Sequence, residues 1–193
     1  MDTREFTGEW DYNTLPDNIW IEPGCYLERQ ESFKRFRSQQ NPGLVLGKNV
    51  QVYTWSAFSV EPAGKLVVGD DSVLVGAVFW CAESIVVGRR VLISYNVTIA
   101  DSDFHPRDPD LRRLDAIAIS PAGNPQQRPP LEAKPVVIAD DVQIGIGAII
   151  LKGVQIGAGA QIGAGSVVTS NVPAGAMVTG NPAKVTSLLG VRR

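Results

Sequence analysis

Cysteine and histidine are scarce in this chain of 193 residues, which holds two cysteines and one histidine. Cys25 and Cys81 lack the paired spacing of a disulfide scaffold or a structural zinc site. Because zinc needs three or four protein ligands, a site with one histidine per chain would have to form on a three-fold axis between chains. We therefore predict no metal, and we expect Cys81 to be unreactive because no activating neighbour is visible.

An excess of positive charge and long apolar runs are also absent. The 18 Lys and Arg residues stand against 20 Asp and Glu residues, which gives a net charge of −2, so nucleic acid is not an expected partner. No apolar run reaches the roughly 18 residues of a membrane span, and residues 1–10 lack the basic and then apolar order of a secretory signal. These absences predict a soluble, cytoplasmic protein with a single domain over 1–193.

A strict six-residue period is the strongest pattern that the sequence contains. Within 138–168 every sixth residue is a branched aliphatic: Ile138, Ile144, Ile150, Ile156, Ile162 and Val168. A smaller set recurs four positions after each of these: Val142, Ala148, Val154, Ala160, Ser166 and Val172. A strand alternates every two residues and a helix every 3.6, so a period of six requires a short strand followed by a corner. Repeats of this length are typical of β-helices.

The same register continues upstream in groups of three hexads, which predicts a triangular coil. Its inward positions are Ile21, Leu27 and Phe33, then Leu46, Val52 and Phe58, then Val68, Leu74 and Trp80, then Val87, Ile93 and Ile99. With the two later groups this makes six coils. The largest interruption is a proline-rich loop arm over 105–137, whose mixed charges favour a folded arm. Residues 173–193 are predicted to cap the open end of the solenoid, with a short helix over 183–189.

The single histidine, His105, lies where the long arm leaves the coil. Asp103 occupies a position that holds a small inward residue in other hexads, and a carboxylate in a dry core is costly. Either the coil has opened there, or Asp101 and Asp103 lie in a polar pocket where one of them orients the imidazole. A neutral imidazole whose tautomer is fixed by a partner accepts a proton near pH 7. His105 is therefore a candidate functional residue, and the alternative is a solvated loop histidine.

Further motifs accompany the hexads. They are Asp-x-Asp-x-His-Pro at 101–106, Ile-Gly-Ala-Gly-Ser-Val-Val-Thr at 162–169 and Gly-Asn-Pro-Ala-Lys-Val at 180–185. Together with the hexads, over about 21–189, they resemble the hexapeptide-repeat acetyltransferases, closest to the maltose, galactoside and polysaccharide O-acetyltransferases. The resemblance implies an all-β fold, a left-handed parallel β-helix with a long loop insertion and a short C-terminal cap. It also implies a homotrimer with acetyl-CoA, the cosubstrate, in a groove between adjacent chains.

The resemblance also assigns roles to residues of this sequence. His105 is expected to be the general base that activates an acceptor hydroxyl for direct attack in a ternary complex, with Asp103 or Asp101 as its support. The expected contacts to acetyl-CoA are Gly145, Ile146, Gly147, Ala164, Thr169 and Lys184. The acceptor is expected to be a sugar or a glycan precursor, and Asn96, Tyr95 and Glu83 are candidate contacts to it. Asn96 has an alternative role as a corner residue that tolerates left-handed backbone angles.

Other functions fit the same pattern. An N-acetyltransferase of an amino sugar or a xenobiotic would use the same base and groove, and only its acceptor would differ. A noncatalytic trimeric β-helix scaffold would share the repeats alone, and the placement of His105 argues against it. A gamma-class carbonic anhydrase is disfavoured by the lack of histidines.

Overall fold

The computed structural model describes residues 5–6, 15–124 and 127–188. Over this part of the chain the structure is a parallel β-helix of about seven turns, built from three sheets and carrying one α-helix. Strands are numbered along the chain. The second sheet contains, in spatial order, β16 (Gln155–Ile156), β13 (Val136–Ile138), β10 (Ser84–Val87), β7 (Lys65–Val68), β4 (Leu44–Leu46) and β2 (Ile19–Ile21).

The other two sheets complete the triangle. The third sheet contains β18 (Val167–Val168), β15 (Ile149–Ile150), β12 (Thr98–Ala100), β9 (Val78–Cys81) and β6 (Ala57–Val60). The first sheet is ordered β1 (Glu5–Phe6), β3 (Tyr26–Leu27), β5 (Gln51–Tyr53), β8 (Val73–Val75), β11 (Leu92–Ile93), β14 (Gln143–Ile144), β17 (Gln161–Ile162), β19 (Ala176–Gly180) and β20 (Ala183–Leu188). Each coil therefore visits the three sheets in turn, as the three-hexad groups predict.

The inward hexad positions form one continuous core. Leu46, Val68, Val87, Ile138 and Ile156 stand in register across the second sheet, and each is at most 2% exposed. Side chains that stack in register exclude water along the whole solenoid, so each coil is stabilised by its neighbours rather than alone.

One inward position differs from the prediction. Phe79 is fully buried and stacks on Phe58 at a ring-centroid distance of 5.4 Å, and Phe58 stacks on Phe33 at 5.3 Å. The prediction that Trp80 points inward is therefore wrong, because the hexad before β9 is one residue shorter than the register assumed. Trp80 instead faces outward from the third sheet, where it is available to a ligand.

The arm and the cap both leave the repeat pattern. The arm carries helix α1 (Pro109–Ala118), which begins where the Asp108 side chain accepts hydrogen bonds from the amides of Asp110 and Leu111. The predicted capping helix over 183–189 is wrong for residues 183–188, which form β20 antiparallel to β19. The turn at Gly180 and Pro182 and the β-branched Val185 favour this strand. Residues 189–193 of the predicted cap lie outside the described residues.

Helix α1 has ten residues, and no helix within the described ranges is long and apolar enough to cross a membrane.

Candidate functional site

The imidazole of His105 is held by a carboxylate from the arm. Strand β12 ends at Ala100, Phe104 has a left-handed backbone (φ 64°), and α1 returns Asp115 to the histidine. Nδ1 of His105 lies 2.6 Å from Oδ2 of Asp115, whose side chain is fully buried while that of His105 is 48% exposed. Among the described residues nothing bonds to Nε2. With Nδ1–H donating to the carboxylate, Nε2 is the basic nitrogen.

Arg128 fixes Asp115 in place. Its Nε donates to Oδ1 of Asp115 at 2.7 Å, and its Nη1 donates to Oε1 of Glu61 at 2.9 Å. Its Nη2 donates to the carbonyl of Phe104 at 3.0 Å, so the guanidinium also holds the backbone next to His105. Burial alone would raise the pKa of Asp115, but the hydrogen bonds from Arg128 and His105 outweigh it and lower that pKa. Asp115 is therefore ionised and oriented at neutral pH.

Among the described residues, neither Asp101 nor Asp103 is hydrogen-bonded to the imidazole. Asp101 is fully buried and accepts hydrogen bonds from the backbone amides of residues 82, 83 and 84 at 2.7–2.8 Å, so it closes the corner of the coil below. Asp103 pairs with Lys152 at 2.8 Å and with Arg107 at 2.9 Å. Both hydrogen bonds lower the pKa of Asp103, and the bond from Lys152 has the larger effect. The expectation that one of them orients His105 is corrected, because Asp115 occupies that place.

A cavity of about 790 Å³ opens beside His105. Its apolar wall includes Trp80 and Phe104, whose rings meet edge to face at a centroid distance of 5.2 Å. Cys81 also lines it, but burial first, and then the neighbouring Asp101, raise the pKa of this thiol well above its usual range. Cys81 is therefore a neutral thiol, which agrees with the expectation that it is unreactive.

The expected cofactor residues fall into two groups. Gly145, Ile146, Gly147 and Ala164 share one edge of the prism, where the first sheet turns into the third. The amide of Gly147 donates to the carbonyl of Tyr95 one coil below, and the carbonyl of Ile146 accepts from Gly165 one coil above, each at 2.8 Å. Ile146 is 54% exposed, and a Cβ on Gly147 would meet nothing within 4 Å. This edge leaves backbone open to a narrow, extended ligand.

Thr169 and Lys184 lie apart from that edge. Thr169 is exposed just after β18, and Lys184 is exposed in β20, where it pairs with Thr179. His105 also lies on another edge, the one after the third sheet. The edge at 145–147 and the edge after the third sheet are separated by β15 and its flanks. This is four residues or more, or roughly 13 Å of extended chain. One chain alone therefore does not bring the histidine together with Gly145, Ile146, Gly147 and Ala164, whereas Thr169 follows the third sheet as His105 does.

None of the expected acceptor contacts lines the cavity. Asn96 is an exposed corner residue with a left-handed backbone (φ 57°), which is the alternative role that its chemistry allows. Tyr95 is 48% exposed on the same edge as Ile146, and the amide of Glu83 bonds to Asp101. The cavity instead presents residues that the sequence did not single out: Lys34, Arg35, Arg37, Glu61 and Arg128.

Within the described ranges, no group of three or more His, Cys, Asp or Glu side chains is arranged to hold a metal ion.

The comparisons with known proteins agree with the repeats. The family described as "Bacterial transferase hexapeptide (six repeats)" matches residues 135–170. The 2,3,4,5-tetrahydropyridine-2,6-dicarboxylate N-acetyltransferase of Staphylococcus aureus (strain JH9) is 59% identical over 56 residues. That match covers 29% of this chain and 23% of the relative, so the chain spans about a quarter of the length of the curated relatives it matches.

Solved structures extend the likeness to most of the chain. A hexapeptide-repeat containing acetyltransferase from Vibrio cholerae O1 biovar eltor, complexed with acetyl coenzyme A, is 28% identical with a TM-score of 0.60. The structural match covers 82% of this chain and 74% of the Vibrio cholerae chain. A maltose O-acetyltransferase from Clostridium difficile 630 shares the fold at 24% identity and a TM-score of 0.54, over 92% of this chain and 79% of that protein. Residues 135–170 therefore carry hexapeptide repeats, and the repeats and the fold of the chain are similar to those of hexapeptide-repeat acetyltransferases.

Proposed function

We propose that this protein is an acetyl-CoA-dependent acetyltransferase that transfers an acetyl group to a hydroxyl of a sugar or a glycan-like acceptor. The observation that carries the proposal is the pair of His105 and buried Asp115 beside a cavity of about 790 Å³. The likeness to the Vibrio cholerae protein, which was solved with acetyl coenzyme A, supports the donor.

The geometry supports a direct transfer with His105 as the base. Nε2 of His105 takes the proton from the acceptor hydroxyl as its oxygen attacks the thioester carbonyl carbon. The carbon–sulfur bond then breaks, and the leaving sulfur receives the proton back from Nε2, so no group is left on the protein. Asp115 keeps the basic nitrogen on the cavity side and stabilises the imidazolium that forms. General base catalysis of this kind contributes about 10²–10⁴-fold.

The donor site in this proposal lies between two chains. The open edge at Gly145, Ile146, Gly147 and Ala164 fits a narrow pantetheine arm, but it is one face of the prism away from His105. A homotrimer would place this edge of one chain against the His105 edge of its neighbour. Thr169 and Lys184 are proposed as contacts nearer the nucleotide, where Lys184 meets a phosphate as a point charge.

A hydroxyl acceptor is favoured by the arrangement of the base. A hydroxyl is a weak nucleophile unless an oriented base removes its proton, and a histidine backed by a buried carboxylate is the usual arrangement for that task. The second candidate is an amine acceptor. It is favoured by the Staphylococcus aureus relative, an N-acetyltransferase that is 59% identical over 56 residues.

The first test is a calorimetric titration of the purified protein with acetyl-CoA, which requires no knowledge of the acceptor. We expect saturable binding at about one site per chain, unchanged in His105→Ala. Coenzyme A release in the presence of sugar acceptors is expected to fall by about 10²–10⁴-fold in that variant. No binding of acetyl-CoA at millimolar concentration would refute the donor and favour a noncatalytic scaffold.

The acceptor atom is tested by the stability of the product. Glucose and glucosamine differ by one hydroxyl replaced by an amine, so they form a matched pair. An ester product is cleaved by alkaline hydroxylamine, whereas an amide is not. Transfer to glucosamine alone, giving a hydroxylamine-resistant product, would replace the O-acetyl proposal with the N-acetyl one.

A further inference from the structure

A basic strip borders the cavity and comes from the first coil. After the 3₁₀ helix Gln30–Phe33, the chain runs parallel to β6: Phe36 pairs with Val60, and the amide of Arg37 donates to the carbonyl of Val60 at 2.8 Å. Phe36 packs against the core. Because side chains alternate along an extended segment, Arg35 and Arg37 both face outward, on the cavity side.

The cavity lining carries more positive than negative charge. Four cationic side chains line it, Lys34, Arg35, Arg37 and Arg128, against two acids, Glu61 and Asp103. This balance runs against that of the whole chain, whose net charge is −2. The excess is therefore local to the cavity and is not part of a general basic surface.

Both acids are already occupied. Glu61 Oε1 accepts hydrogen bonds from Arg37 at 2.6 Å and from Arg128 at 2.9 Å. Asp103 is paired with Lys152 and Arg107, which lie outside the lining. Among the described residues, neither acid pairs with Arg35.

Arg35 differs from the two arginines that hold carboxylates. Its guanidinium carbon lies 5.6 Å from the centroid of the Trp80 ring, and among the described residues no carboxylate pairs with it. An arginine held over an indole presents a planar fork of N–H donors, which matches a carboxylate or a phosphate in two hydrogen bonds. Such a fork at the rim of a catalytic cavity is suited to one negatively charged group of a ligand.

We infer that the acceptor carries a carboxylate or phosphate group, which Arg35 binds with support from Arg37. The inference rests on the proposed function, since it concerns the acceptor of that same site. Trp80 and Phe104 offer an apolar wall to the ring of the acceptor, while its charged group lies at the basic strip. The reacting hydroxyl then faces His105 across the cavity.

Binding without turnover tests this inference. We would titrate the protein, saturated with coenzyme A, with glucuronate, glucose 6-phosphate and glucose, which share a ring and differ in charge. We expect at least one charged sugar to bind about tenfold or more tightly than glucose, because a hydrogen bond to a charged group is strong and specific. The stronger of the two charged probes identifies carboxylate or phosphate as the preferred group.

Arg35→Gln is the decisive variant because it leaves no acid without its partner. We expect it to lose about tenfold or more in affinity for the charged sugar and to bind glucose as the wild type does. Arg113→Gln makes the same change of charge on an exposed residue outside the cavity, and it should bind as the wild type does.

The two proposals fail in different ways. Equal or undetectable binding of charged and neutral sugars, or an Arg35→Gln variant that binds the charged sugar as tightly as the wild type, would overturn the inference. A protein that binds charged sugars selectively but releases no coenzyme A from acetyl-CoA would uphold the charged-ligand site and refute the transferase.

Discussion

Replacing Asp115 with asparagine tests whether the buried carboxylate orients the base. Asp115 accepts from Nδ1 of His105 through one oxygen and from Nε of Arg128 through the other. Asparagine keeps the shape but turns one oxygen into a donor. If the amide NH₂ faces Arg128, two donors meet. If it faces His105, Nδ1 becomes the acceptor and the proton moves to Nε2, where the base is needed.

Either orientation of the asparagine lowers both turnover and stability, and the contacts of Asp115 set the size of each loss. Loss of the correct tautomer is expected to lower kcat by about 10²–10⁴-fold, the range of general base catalysis. Arg128 keeps Glu61 and the carbonyl of Phe104, so the loss of stability is limited to about 1–3 kcal/mol for one charged hydrogen bond. For a chain of this length that is about 2–4 °C in Tm for each kcal/mol.

The assay separates orientation from folding. Coenzyme A release gives kcat, calorimetry gives the affinity for acetyl-CoA, and a thermal melt reports the fold. Asp110→Asn, the same change on an exposed residue of α1, is the matched control and should keep wild-type turnover. A folded Asp115→Asn protein with wild-type kcat would refute the role of Asp115.

Three further predictions concern stability. Asp101→Asn should lower the free energy of unfolding by about 2–4 kcal/mol, measured by urea denaturation, because an amide cannot accept from all three backbone N–H groups that Asp101 holds; an unchanged midpoint would contradict this. Gly145→Ala should lower the free energy of unfolding by about 1–3 kcal/mol, since the new Cβ would lie 2.7 Å from the backbone nitrogen of Ala164. Gly147→Asn should lower it less, because that corner is open and left-handed. Equal melting temperatures of the two variants would contradict this prediction. Burial raises the pKa of Asp115, but its hydrogen bonds outweigh burial and lower that pKa in the folded protein. The stability that ionised Asp115 contributes is therefore present above the ordinary carboxyl pKa of about 4, and it is lost as pH falls through the folded pKa. The free energy of unfolding should therefore depend less steeply on pH below about 4 in Asp115→Asn than in the wild type.

The core was predictable because the hexad is a local pattern. Residues such as Ile138, Ile144 and Ile150 follow one another at a fixed spacing, so a reader of the sequence needs no knowledge of distant contacts to place them inside. The register failed at Trp80, where one coil is a residue shorter and Phe79 takes the inward position. Period alone cannot detect such a slip, since both residues are large and apolar.

The position of His105 at a break in the repeat was predictable, but the partners of its side chain were not. His105 stands at a break in the repeat, and that break is visible in the sequence. Asp115 and Arg128 meet it only because the arm folds back through α1, a long-range event that the Asp108-Pro109 capping signal indicates but does not orient. Asp101 and Asp103 are nearer in sequence, and for that reason they were preferred wrongly as its support.

The position of the cavity follows from how a hexapeptide solenoid uses its side chains. Inward positions are committed to the core and corners to backbone turns, so the groups that face a ligand come from outward strand positions, such as Trp80, and from segments that interrupt the coil, such as the arm. The extended segment that carries Arg35 pairs with β6, and the arm that carries Asp115 leaves after β12, three strand spacings away in the third sheet, which is roughly 14 Å. Arg128 spans part of this height by joining Asp115 to Glu61. The basic strip and the arm therefore enclose a cavity with His105 at one end and the basic strip at the other.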